Sequence, residues 1–406
     1  MARSATRKCC SCGAPCGSGE RVTTHDRRIA GWLLAVIGFL IVFSSLYPFS
    51  FSLTGAEALG RFGGLPRAGT TRSDVAANVL LYVPLGACLA WLLVPRLGGA
   101  LAVAAATLAG ALLSFSIETA QLFETRRVAS LADFACNTAG AFAGGCLALA
   151  IARTRRNLHT SRFAGLLRHP VAAALLFSWA GYRLAPFAPG LDPAEWSASF
   201  APLVAGTGFA TSAFLAHAIA WLALLLVAGR LAPGRATSLA AGAMAIVLAG
   251  RILFTGLALE GEELAGMAAA LLLARPLARL GSARAASFVA GALLLLIAWT
   301  GLAPFDFQLA PDRFALLPFG ESLTQYRAAN LADVFLRCFT NGALVWLLVQ
   351  AGRSVLAATG IGAGAVFAIE LLQTWLPGQT AEITDPLLAV CAGGLIAIFE
   401  RQGSVG

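Results

Sequence analysis

Charge is what this sequence has least of. Asp, Glu, Lys and Arg make up 12% of its 406 residues, against roughly 25% in a soluble domain, and mean hydropathy is +0.77. A water-soluble globular chain is excluded by that balance. Three common catalytic signatures are also missing: Gly-x-x-x-x-Gly-Lys, His-Glu-x-x-His and Gly-x-Ser-x-Gly. The usual routes to NTP hydrolysis, zinc proteolysis and serine hydrolysis are therefore not written here. The residues name no cofactor.

What is present is hydrocarbon, with 58% of residues hydrophobic. Apolar runs long enough to cross a core of roughly 30 Å recur along the chain, and in lipid they must be helices, because backbone groups cannot stay unsatisfied there. Twelve spans are expected, near 31–49, 75–94, 99–123, 133–151, 171–187, 209–229, 238–259, 263–274, 286–303, 331–350, 354–375 and 386–399. The eighth and twelfth are short. The fold class is an all-α, polytopic transmembrane bundle whose partner is the lipid bilayer. Gly31 to Phe49 is too long for a cleavable signal and reads as a retained anchor.

Basic residues set the orientation. With a cytoplasmic amino terminus, nineteen of the 29 fall in inner segments, seven lie outside and three sit within helices. Of the 20 acids, only Glu20, Asp26 and Glu400 are inside. The positive-inside rule then places both termini in the cytoplasm of a multi-pass inner-membrane protein. The formal charge of +9 is a topology signal and needs no nucleic acid. Cys9, Cys10, Cys12 and Cys16 crowd the tail, where with His25 they offer a zinc pattern lacking two well-spaced pairs. A reduced, flexible tail is the plainer reading, and no metal site is assigned.

Three units of four helices emerge from internal similarity. Their first helices end alike, as Leu46-Tyr47-Pro48-Phe49, Leu184-Ala185-Pro186-Phe187 and Leu302-Ala303-Pro304-Phe305. The divisions are a tail (1–28), a first unit (29–151), a degenerate middle unit (170–275) and a further recognisable unit (286–400). The first unit carries Glu118-x-x-Gln121, then Arg126-Arg127, Ser130, Asp133, Asn137, Gly140 and Gly144, preceded by Asp74 and Asn78. The last echoes it with Glu370-x-x-Gln373 and Asp385, while the middle shows Arg251 and Glu262-Glu263.

Glu118 with Gln121, and Asp133 with Asn137, each share one helical face. Small residues at Gly140 and Gly144 allow a neighbouring helix to approach. A shallow polar pocket at the outer helix ends is expected. Glu118 opposes the dipole of its own helix, and burial toward the bilayer centre would cost about 2.5 to 3.5 kcal/mol, so it needs a partner. Asp74 and Asp133 also fit helix caps, Arg126 and Arg127 fit either a hairpin salt bridge or anion recognition, and Gln121 and Asn137 fit interhelical hydrogen bonding. His217 has no acid on its own face, and Arg251 fits a structural pair with Glu260.

This pattern resembles the VanZ-like membrane family, well over 31–151 and moderately over 286–399. The last unit departs from it at Gln379 and Ala389. The resemblance implies a cell-envelope membrane protein, some relatives being linked to low-level teicoplanin resistance. The residues themselves suggest Glu118 and Asp133 as acid and base. Asp74, Asn78, Gln121, Arg126, Arg127 and Asn137, with Glu370, Gln373 and Asp385 in the last unit, would bind a lipid-linked or peptidyl envelope precursor. A transporter or flippase, or a non-catalytic envelope scaffold, are the competing functions.

Overall fold

The structure, a computed structural model, describes residues 24–47, 49–58, 72–125, 129–158, 169–205, 208–320 and 328–400. The long helices are α1 (Thr24–Leu46), α2 (Arg72–Leu97), α3 (Gly99–Gln121), α4 (Leu131–Leu158), α5 (Pro170–Leu184), α6 (Thr211–Leu231), α7 (Ala236–Leu253), α8 (Gly261–Arg279), α9 (Ser282–Leu302), α10 (Ala328–Gln350), α11 (Val355–Gln373) and α12 (Thr384–Glu400). Short helices, Pro193–Ala198 and Ala201–Ala205, lie between α5 and α6. Among the described residues, eight helices are long and apolar enough to cross a membrane, and the protein is a multi-pass membrane protein.

The expected spans without that length have local reasons. The apolar stretch Ile37–Leu46 is only part of α1, and α12 contributes Thr384–Phe399. Helix α5 has 15 residues, a rise of about 22 Å at 1.5 Å per residue, which is short of a full crossing. Helix α8 carries Glu262, Glu263, Arg275 and Arg279 in its 19 residues.

Two apolar clusters dominate the described residues, beside two of three residues each. Ile41, Tyr82, Leu85, Ile117 and Ala141 join α1, α2, α3 and α4. A larger cluster draws on all of α5 to α12 around Trp179, Trp221, Phe339 and Trp346. The expected division between 170–275 and 286–400 thus crosses a shared core. Helix α6 is its axis, apolar on every side and buried at eleven positions.

Glycines set the tightest crossing. A Cβ built on Gly140 would overlap the Val79 carbonyl oxygen, one on Gly144 that of Val83, and one on Gly86 that of Ala141. Helices α2 and α4 therefore meet backbone to backbone. The first helix of each quartet ends in a left-handed phenylalanine, with φ of 63° at Phe49, 59° at Phe187 and 65° at Phe305. Each donates its N–H to the carbonyl three residues earlier, at Leu46, Leu184 and Leu302. This conformation costs a bulky L-residue about 1 to 2 kcal/mol, and it turns the chain sharply off the helix.

Isolated bridges Phe51 to Glu124, Pro189 to Phe254 and Ala315 to Glu382 tie the loops that follow. One end of the bundle thereby gathers the ends of the odd-numbered helices and the starts of the even-numbered ones. Most of the described acids lie there, so it is the acid-bearing end.

Candidate functional site

Ser130 caps α4, its Oγ accepting from the N–H groups of Ala132 at 3.2 Å and Asp133 at 3.4 Å. In a capping box the acid at the third helical position would reach back to the cap residue's own N–H. Here Glu118, arriving from α3, takes that N–H at 2.7 Å. Glu118 opposes the dipole of α3 but sits on the positive end of α4, which supplies the compensation that the sequence reading demanded.

Asp133, freed from the cap, faces α2, where Asn78 Nδ2 donates to its Oδ1 at 2.9 Å. Half-buried Asp74 stands one turn before Asn78 and within electrostatic reach of Asp133, which in turn acts on Glu118. No ion pair joins Glu118 or Asp133 to a cation among the described residues. Arg126 and Arg127 lie outside those residues.

A turn deeper, Asn137 Nδ2 donates to Ser114 Oγ at 3.0 Å, while its buried Oδ1 has no donor. Gln121 points the other way, donating through Nε2 to the Ser45 carbonyl of α1 at 2.8 Å. The two amides expected at a pocket thus also tie helices together. Gly140 and Gly144, read as packing residues, face α2.

The last quartet repeats several of these contacts. Glu370 Oε2 accepts the N–H of Glu382 at 2.9 Å, twelve residues on, as Glu118 does from Ser130. Asn341 Nδ2 donates to Asp385 Oδ1 at 3.2 Å, and Gln373 Nε2 donates to the Gly301 carbonyl at 3.0 Å. One residue alters the chemistry. Arg337 stands four residues after Asp333, as Asn78 stands four after Asp74, and one turn before Asn341. It pairs with Asp333 at 2.8 Å, Glu382 at 3.2 Å and Asp385 at 3.3 Å.

The middle quartet buries an ionic cluster of its own. Glu263, fully buried in the first turn of α8, takes a two-pronged grip from Arg183 of α5, Nε to Oε1 at 2.8 Å and Nη2 to Oε2 at 2.7 Å. Arg251 of α7 adds contacts to Glu263 at 3.3 Å and Glu260 at 3.0 Å, as expected for its pair with Glu260. His217 is not the isolated imidazole that its own helix face suggests. Its Nε2 lies 3.4 Å from Glu260 Oε2, an acid supplied by the loop ahead of α8. The hydrogen bond from His217, followed by the fields of Arg183 and Arg251, overcomes partial burial and pulls the Glu260 carboxyl down to about 2.

Sequence reasoning passed over Arg183, Arg337, Asn341 and Glu382, and also Glu124, which is fully buried beside the α3–α4 turn. The signal for the arginines was available. The three basic residues that the orientation count leaves within helices are Arg183, Arg251 and Arg337, and all three hold acids. Among the described residues no three His, Cys, Asp or Glu side chains stand close enough to hold a metal ion. Cys9, Cys10, Cys12 and Cys16 lie outside those residues.

The family model described as VanZ/LLP1 matches residues 29–153, under a third of the chain and the whole of the Glu118–Asp133 constellation. No curated protein and no solved structure matches the chain.

Proposed function

With residues 29–153 as a VanZ-like segment, we propose that this membrane protein serves the cell envelope by binding or modifying a lipid-linked or peptidyl precursor at its acid-bearing end. That end lies outside the cytoplasm, in a bacterial inner membrane, with both termini in the cytoplasm. This follows from the distribution of basic residues. The three quartets are tandem VanZ-like units, the first carrying the full polar set. A contribution to teicoplanin resistance is the phenotype to look for.

One observation carries the reading. Two carboxyl groups from adjacent helices, Glu118 and Asp133, converge at a helix start, each with one neutral donor among the described residues, Ser130 N–H and Asn78 Nδ2. A pair of carboxyls in unlike surroundings, one on a helix terminus and one on an amide, is suited to acid and base roles. Arg126 and Arg127, in the intervening loop, supply the charge for a phosphate or carboxylate. A transporter would need polar side chains near mid-depth, whereas the polar contacts above gather toward one end of the bundle.

Glu118→Gln tests the proposal, with expression and membrane insertion verified. Altered envelope integrity or teicoplanin susceptibility is expected. An unchanged phenotype removes the acid–base role.

A further inference from the structure

The glycines that fix the α2–α4 crossing, Gly86, Gly140 and Gly144, each face a neighbouring backbone. Gly291, midway along α9, does not. A Cβ built there would meet nothing within 4 Å, although α9 packs on both α10 and α11. The missing side chain leaves a cavity of about 220 Å³, lined by Gly291 and Leu294 of α9, Leu344 and Leu348 of α10, and Ile361 and Gly362 of α11. Protein interiors ordinarily pack to crystal density, so an apolar slot of this kind calls for an occupant.

Shape and position narrow the choice. The slot runs from buried Ala290 and Leu344 to Gly291 and Ile361, which are exposed on the flank of the bundle. It therefore opens sideways, where the bilayer lies. Its lining covers 287–294 on α9 and 344–351 across α10 and its end, about 10 Å each at 1.5 Å per residue. That is less than one leaflet, half of a roughly 30 Å hydrocarbon core. The volume is below the roughly 300 Å³ at which small-molecule pockets begin, which fits a flexible chain segment better than a ring system.

The polar lining belongs to the end of the bundle opposite the acids. Arg353, in the α10–α11 turn, and Ser287 both line the slot, and Arg284 stands one turn before Ser287 on the same face of α9. The starts of α9 and α11 at this end add the positive ends of two helix dipoles.

We propose that this slot binds an anionic phospholipid, with one acyl chain along α9, α10 and α11 and the phosphate at Arg353 and Arg284. Charge complementarity selects the headgroup. A guanidinium takes a phosphate through charge-assisted hydrogen bonds, and basic pockets between spans are where anionic lipids dock. An ethanolamine headgroup would bring its ammonium against the same two cations. The proposal depends neither on the Glu118–Asp133 site nor on which end of the bundle is cytoplasmic.

The test places full-length protein in phosphatidylcholine nanodiscs containing phosphatidylglycerol with a diazirine in its tail, and maps the photo-adducts by peptide mass spectrometry. Adducts should concentrate in residues 287–294 and 344–351, and unlabelled phosphatidylglycerol should displace them better than phosphatidylethanolamine does. Arg353→Gln should reduce them by about tenfold, the loss of a charge-assisted hydrogen bond. Gly291→Leu, which puts a side chain into the slot, should reduce them as far. Arg96→Gln removes a cation from the same end of the bundle, in α2, and should leave them unchanged.

Adducts spread evenly over the exposed helix faces, or an equal loss from Arg96→Gln, mark a diffuse basic surface and overturn the proposal. Equal displacement by phosphatidylethanolamine marks an acyl slot without headgroup recognition and overturns the anionic assignment. A slot that gains no adducts is filled from elsewhere, by the amino-terminal tail or a second copy of the chain, and the proposal falls.

Discussion

Gly86→Ala is the sharpest probe of how the α2–α4 crossing holds the site. A Cβ at this position would lie 2.7 Å from both Cα and the carbonyl carbon of Ala141, whereas carbon atoms rest at about 3.5 to 4.0 Å. Both partners are backbone, so no side chain can rotate away and the helices must part by about 1 Å. Overpacking of this kind costs about 1 to 3 kcal/mol. The same separation stretches the Asn78–Asp133 hydrogen bond from 2.9 Å past the roughly 3.2 Å limit for N–H to oxygen.

Unfolding in mixed detergent micelles by SDS titration, followed by far-ultraviolet circular dichroism, measures the first effect. Gly291→Ala is the control, since nothing lies within 4 Å of its added methyl group, and it should be as stable as wild type or up to about 1 kcal/mol more stable, the advantage of Ala over Gly inside a helix. Combining Gly86→Ala with Asn78→Ala in the same titration measures the second effect, since a hydrogen bond already lost makes the two losses sum to less than their separate values. A Gly86→Ala protein as stable as the Gly291→Ala control would refute the backbone contact on which the site geometry depends.

The ionic cluster of the middle quartet gives two further expectations. Glu263→Ala leaves Arg183 and Arg251 buried beside a lost carboxylate, and breaking a buried pair in this way should destabilise by about 3 to 5 kcal/mol in the same SDS titration; a loss below about 1 kcal/mol would contradict the burial of the pair. Glu260 has a folded value near 2, depressed below its unfolded value of about 4.3. Its contribution to stability is therefore fully present above the unfolded value and disappears as pH falls through the folded one. Acid unfolding followed by circular dichroism should show a slope between about pH 4.3 and pH 2 that is shallower in Glu260→Gln, and identical slopes would exclude the linkage.

Much of the architecture could be read from the residues, because in lipid both hydrophobic length and backbone satisfaction force helices. The repeated Leu-x-Pro-Phe endings were legible as a pattern, though not as a conformation, since a left-handed phenylalanine is unusual on steric grounds alone. The acids at helix starts were visible for the same local reason that makes them stable there. Partners were not. Gln121 reaches Ser45 across 76 positions, and Arg183 reaches Glu263 across 80, and nothing in the periodicity of either helix says which neighbour will face it. His217 looked solitary because its acid comes from another segment. The joint core of α5 to α12 was likewise hidden, since an apolar residue carries no mark of the helix it will touch.

The wandering arginines follow from how each charge is held. An acid in the first turn of a helix is fixed by its backbone and favoured by the dipole there, so its position is set by where the helix begins. A guanidinium sits on a long, flexible stem and can reach the same acid from several neighbouring helices. Arg183 arrives from the first helix of its quartet, Arg251 from the third and Arg337 from the second, yet all converge on acids at the start of the fourth. Charge compensation can therefore move among positions while the acid stays. In the first quartet the acid has stayed, and its partner among the described residues is the neutral amide of Asn78.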